Sequence, residues 1–273
     1  MWRKSLKRVL TSIVAVPVLL AVLLYASSAW FLAIILFVTI AALWECNTLT
    51  MAGDDRAGMV VAVVVGSALP LAVYWRGMDV LPLFFVVSLF LLFLYHLVGR
   101  RDISSTVRYL GAGSFGLFYI PLLLSFMVLL RGAEGGRWWI LFLFAVIWGN
   151  DTFAYYVGRS LGRHRLSKVV SPKKTIEGAL GGLVGGVGVS IAFHYSIFND
   201  RSVVELGILA FLLSLVGQTG DLFESMIKRS AGAKDSGFIV PGHGGILDRI
   251  DSILFSLPLL YYYVSCRGGP WHW

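Results

Sequence analysis

The chain has 273 residues, 58% of them hydrophobic and 14% charged, where an ordinary soluble domain carries roughly 45–50% and about 25%. Mean hydropathy is +0.80 and the formal net charge is +8. A soluble globular enzyme, a disordered chain and a low-complexity scaffold are excluded, because this much apolar surface cannot be left in water.

One membrane crossing needs roughly 20 apolar residues. Nine hydrophobic segments can be drawn on that scale: 9–26, 29–49, 58–75, 79–98, 106–130, 138–158, 175–198, 203–223 and 246–266. The reading is an all-α, polytopic membrane bundle of about nine transmembrane helices. The first segment has a basic start and ends in Ala26-Ser27-Ser28-Ala29, which imitates a signal peptide. Its apolar run exceeds the usual 7–15 or so residues, so it is expected to stay as a span. With the N-terminus in the cytoplasm, sixteen lysines and arginines from Arg3 to Lys234 fall on the cytoplasmic side. Five fall outside: Arg76, Arg131, Arg137, Arg201 and Arg267. That asymmetry predicts an odd number of spans and puts both long connections, 159–174 and 224–245, on the cytoplasmic side.

Residues 1–130 read as membrane-embedding helices. Their few ionisable groups at depth, Glu45 and His96, sit near span ends and suggest snorkelling or a helix–helix hydrogen bond. Cys46 and Cys266 stand far apart in apolar runs and read as buried small residues. Trp2, Trp30, Trp75, Trp138, Trp139, Trp271 and Trp273 lie near span ends, where interfacial belts are expected.

Residues 131–273 differ, because polar residues enter the spans. Asn150, Asp151, Tyr155 and Gly158 share a helical face. Ser171-Pro172 reads as an N-cap and first helical position, with Lys173, Lys174 and Thr175 following. Cations in a first helical turn oppose the dipole and suggest a strongly anionic ligand. Gly178, Gly182 and Gly186, with Gly181 and Gly185, have the small-residue spacing that lets membrane helices approach closely. Asp221, Glu224, Ser225 and Lys228 lie on one face, followed by Arg229. A glycine-rich loop then carries Lys234, His243, Gly244 and Gly245 into Asp248, Arg249 and Asp251. Asp248 and Asp251 share a face, while Arg249 points elsewhere. Two carboxylates here and Asp221 from another helix make a hard-oxygen set of the kind Mg²⁺ uses together with substrate phosphates. Phosphoryl or nucleotidyl transfer to a lipid head group suits such a constellation at the surface of an apolar bundle.

Ser225-x-Ile227-Lys228-Arg229, Lys234-Asp235-x-Gly237 and Pro241-x-His243-Gly244-Gly245-x-x-Asp248-Arg249-x-Asp251, at fixed spacing, resemble the signature of the phosphatidate cytidylyltransferases. Asn150-Asp151-Thr152-Phe153-Ala154-Tyr155 and Ser171-Pro172-Lys173-Lys174-Thr175-x-Glu177-Gly178 resemble family segments upstream, while the first 100 residues match only as generic spans. Val240 stands where the family carries Leu, Ile or Phe. The resemblance implies an integral membrane homodimer that condenses phosphatidate with CTP, giving CDP-diacylglycerol and pyrophosphate, with Mg²⁺ as cofactor and room for a second metal ion. On that reading Asp221, Asp248 and Asp251 hold metal with Asp151 nearby. Lys173, Lys174, Lys228, Arg229 and Lys234 neutralise phosphates, with Ser171, Thr175, His243 and Arg249 alongside, and Gly244 and Gly245 let backbone approach a phosphate. Asp221, Asp248, Asp251, Lys228 and Arg229 are the expected catalytic set. The expected setting is a bacterial inner membrane with the site facing the cytoplasm and no nucleic-acid partner. Two other readings fit: a CTP-dependent transferase acting on an ether-lipid or polyprenyl substrate, and a membrane transporter.

Overall fold

The computed structural model describes residues 17–18, 20–51, 55–99, 103–239 and 244–267. A helical stretch over 20–25 leads into α1 (Ser28–Thr50), α2 (Arg56–Arg76) and, after a 3₁₀ turn, α3 (Leu81–Val98). Next come α4 (Ile103–Tyr119), α5 (Pro121–Gly132) and α6 (Gly136–Leu161). A hairpin of β1 (Arg165–Ser167) and β2 (Ser171–Thr175) precedes α7 (Ile176–Ser196), α8 (Val203–Ser230) and α9 (Leu247–Arg267). The expected all-α membrane bundle is what the chain forms. Six helical stretches among the described residues are long and apolar enough to cross a membrane; one, Arg56–Val98, contains two of the expected spans. Half of the expected first span, residues 9–16 and 19, lies outside the described residues. The expected ninth is α9, less apolar than those six because it carries Asp248, Arg249, Asp251 and three consecutive tyrosines.

The expected span over 106–130 is two helices. Pro121 has no N–H to continue the ladder, so α4 stops at Tyr119 and α5 restarts with proline in its first turn. Pro70 and Pro258 are carried inside α2 and α9, as neighbouring helices permit in a membrane bundle. Cys46 is buried as expected, whereas Cys266 is exposed on α9. Trp30 and Trp75 stand out from the bundle, but Trp139 is a core residue, stacked on Phe198 with ring centroids 4.2 Å apart. Trp2, Trp271 and Trp273 lie outside the described residues. One hydrophobic core joins both halves of the sequence, from Leu23 to Val264.

The glycine run of α7 does what its spacing predicts. A methyl placed on Gly178 would lie 2.8 Å from the Ala154 carbonyl oxygen, and one on Gly182 would lie 2.6 Å from Asn150 Oδ1. The backbones of α6 and α7 therefore touch, and dispersion between them takes the place of a hydrophobic driving force. Gly182→Ala is expected to wedge these helices apart at about 1–3 kcal/mol, the usual range for overpacking. Thermal unfolding in detergent should show a lowered midpoint, while Gly188→Ala, which meets nothing within 4 Å, should leave it unchanged.

Candidate active site

The hairpin is the local surprise. Ser171 and Pro172 do not cap a helix; Ser171–Thr175 is β2, paired antiparallel with β1 through Arg165↔Thr175 and Ser167↔Ser171. Proline sits readily on such a two-stranded edge. The cap falls on Thr175, whose hydroxyl accepts from the Gly178 N–H at 3.1 Å. Lys173 and Lys174 thus lie before the helix, on a strand, and do not burden its first turn. Glu177 holds the hairpin down, accepting from the N–H groups of Arg163 and His164 at 3.0 and 3.2 Å.

Between the hairpin and the helices lies a cavity of about 480 Å³. The last turns of α6 contribute Asn150, Asp151, Tyr155, Gly158 and Arg159; the hairpin contributes Ser171, Lys173, Lys174 and Thr175; α8 contributes Gln218 and Asp221. Lys174 is ion-paired with Asp221 across the cavity. Gln218 Nε2 donates to Asn150 Oδ1 at 2.7 Å and to the Ala179 carbonyl at 2.9 Å, tying α6, α7 and α8 together. Asn150 Nδ2 donates to Asp151 Oδ1 at 3.0 Å. Asp151, Ser171, Lys173, Lys174, Thr175 and Asp221, all singled out from sequence, therefore share one cavity. Gln218, absent from that set, is a half-buried amide one turn before Asp221, and its position within an apolar span was the available signal.

Lys228 and Asp248 of the signature, with Glu224, form a packed polar knot beside the cavity. Lys228 is ion-paired with Glu224 one turn earlier and with Asp248 Oδ1 at 2.5 Å. Asp248 Oδ2 accepts from the Ser236 N–H at 2.9 Å, the Ser236 hydroxyl at 3.0 Å and the Gly245 N–H at 2.8 Å. The Gly245 amide, expected to face a phosphate, is thus committed to Asp248. Gly244 has φ +86°, the left-handed region that favours glycine. Arg229 donates to the Ala233 carbonyl at 2.9 Å and to the Val170 carbonyl at 3.4 Å, linking the end of α8 to the hairpin. Lys234 and Arg249 are exposed at the same end. His243 lies outside the described residues.

Cavity and knot meet along α8 and α9. A methyl on Gly220 would lie 2.6 Å from the Asp251 carbonyl oxygen, so the backbones carrying Asp221 and Asp251 are in contact. Asp251 is an electrostatic neighbour of Asp221, Glu224 and Asp151. No three His, Cys, Asp or Glu side chains among the described residues are arranged to hold a metal ion by themselves. What the structure offers is adjacent carboxylates at a cavity that also holds two lysines, a donor set that needs ligand oxygens to complete a Mg²⁺ shell.

A sequence profile of the cytidylyltransferase family matches residues 6–267. A phosphatidate cytidylyltransferase of Staphylococcus haemolyticus is 35% identical over 263 residues, which is 93% of this chain and 96% of that protein. Those of Staphylococcus aureus and Staphylococcus saprophyticus are 49% and 47% identical over 138 and 137 residues, half of this chain and 53% of each relative. The match is to cytidylyltransferases and lends no support to a transporter. The chain belongs to the cytidylyltransferase family.

Proposed function

We propose that this protein condenses phosphatidate with CTP, giving CDP-diacylglycerol and pyrophosphate. The observation that carries the reading is the cavity where Lys173 and Lys174 meet Asp151 and Asp221 at one end of an otherwise apolar bundle. Acyl chains would remain among lipids while the head group meets a soluble nucleotide. An oxygen of the phosphatidate phosphate attacks the α-phosphorus of CTP, the bond to the β-phosphate breaks, and pyrophosphate leaves. A phosphate monoester is already anionic at neutral pH, so no general base is required.

The chain's own contribution is placement and charge. Lys173 and Lys174 neutralise the triphosphate from the hairpin, with Ser171 and Thr175 as hydroxyl donors. Arg229, Lys234 and Arg249, exposed at the same end, add positive charge there, and Lys228 is held in the knot between Glu224 and Asp248. Asp221, Asp251 and Asp151 suit Mg²⁺, and Asp248 keeps a lone pair on Oδ1 beyond its bond to Lys228. Mg²⁺ bound there would supply neutralisation of the leaving pyrophosphate. The same reading takes the enzyme as a homodimer in a bacterial inner membrane, with the cavity facing the cytoplasm as the basic residues of the two loops suggest.

Purified protein in detergent, given phosphatidate, radiolabelled CTP and Mg²⁺, is expected to yield chloroform-soluble label. EDTA should abolish it and excess Mg²⁺ restore it. Label transferred only to an ether-lipid or polyprenyl phosphate would reassign the substrate.

A further inference from the structure

Glu45 lies on α1, far from the signature loop in sequence, yet its carboxylate hydrogen-bonds to that loop. It is 3% exposed. Oε1 accepts from the Ile246 N–H at 3.1 Å; Oε2 accepts from the Leu247 N–H at 2.9 Å and the Ser236 hydroxyl at 3.0 Å. Two of these donors open α9, where unpaired N–H groups and the helix dipole favour an anion. The loop is shaped around this carboxylate. A methyl on Gly237 would lie 2.3 Å from Oε1, and one on Gly245 would lie 2.3 Å from Oε2. Gly237 is thus kept free of a side chain by Glu45, and Gly245 by Glu45 together with the Ser236 hydroxyl, whose oxygen would lie 2.0 Å from a methyl there.

The contact runs on toward the chemistry. Ser236 lies between Glu45 and Asp248, 3.0 Å from an oxygen of each, and its N–H also donates to Asp248. Asp248 in turn holds Lys228. We infer that Glu45 is a positioning residue for the transfer reaction, fixing Ser236 and Gly237 against Gly245–Leu247 and the first turn of α9 so that Asp248 and Lys228 meet the substrate phosphates in one geometry. The inference rests on the reading of those two residues as part of the site.

Glu45→Gln keeps the shape of the side chain but replaces one acceptor oxygen with an NH2 that meets a backbone N–H of Ile246 or Leu247, donor against donor, and removes the negative charge. In protein that remains folded, kcat for lipid-linked label is expected to fall roughly 10–100-fold, the range for loss of an orienting partner. KM for CTP should hold within about threefold, because the lysines of the cavity are untouched. A role confined to stability would move the thermal midpoint and leave kcat alone. Ser236→Ala should give a similar loss, and the double variant should be little worse than either single one, since both act through one contact. A full rate in Glu45→Gln, or a double loss equal to the product of the single losses, overturns the inference. If Glu45→Gln does not fold, Ser236→Ala carries the test, and a full rate there overturns it. Lys228→Ala in parallel separates the two readings: if it too keeps the full rate, the assignment of the knot to the site has failed, not the positioning alone.

Discussion

Asp221→Asn is expected to abolish lipid-linked CMP, with a loss of at least about 10²–10³-fold in kcat, the scale for removing one preorganised electrostatic group. Asp221 lies in the wall of the cavity and also borders the knot, through the contact of Gly220 with Asp251. It is ion-paired with Lys174 and accepts weakly from Ser225 at 3.5 Å. The amide preserves volume and leaves a partly exposed site, so the fold should survive and the thermal midpoint move little. What is lost is the negative charge that orients Lys174 and would receive Mg²⁺. Residual activity should therefore need more Mg²⁺ than the unaltered protein does, measured as product against Mg²⁺ at saturating CTP. Unchanged rate and unchanged Mg²⁺ dependence would remove the cavity from the chemistry. Lys174→Met makes the complementary test: it should raise KM for CTP, because a ground-state contact to phosphates is removed.

Much of this site was legible because its residues violate the chemistry of a membrane span. Asp151, Asp221, Asp248 and Asp251 stand out against apolar neighbours, and helical spacing alone puts Asp221 on a face with Lys228. The glycine run of α7 was equally readable, since a four-residue spacing of small side chains has one common use in a bilayer. The hairpin was not. Ser171-Pro172 has the local chemistry of a helix start, and pairing with 165–167, fixed by tertiary context, overrode it. Nor could spacing separate the cavity from the knot, because Lys228 and Asp221 share a face yet find different partners. Glu45 is the clearest case. Near a span end, a lone carboxylate is most simply explained by snorkelling or a helix–helix hydrogen bond. Its donors lie about 190–200 positions away on the loop and the first turn of α9, beyond the reach of any periodicity. The aspartates that carry the family resemblance were visible; the residue that holds their loop was not.

Lys228→Met is expected to remove activity and lower stability together, and the second effect can be isolated. The Lys228 ammonium lies between Glu224, fully buried, and Asp248, nearly so. Removing it leaves two carboxylates out of water without their cation, a change that costs about 3–5 kcal/mol in buried pairs. The thermal midpoint in detergent should fall by several degrees. Adding Glu224→Gln removes one of the stranded charges, so the double variant should melt above Lys228→Met. Product formation should not return with it, because Asp248 still lacks its partner and the substrate phosphates still lack a cation. Lys228→Arg is a further discriminator. The guanidinium is always charged but planar and longer, so it should satisfy the carboxylates in part while displacing the charge that the reaction uses. Recovery of the melting midpoint without recovery of rate would separate the structural pairing from the catalytic placement of this one side chain. If instead the rate tracks the midpoint through all three variants, Lys228 serves the fold alone and the cations of the reaction are those of the hairpin.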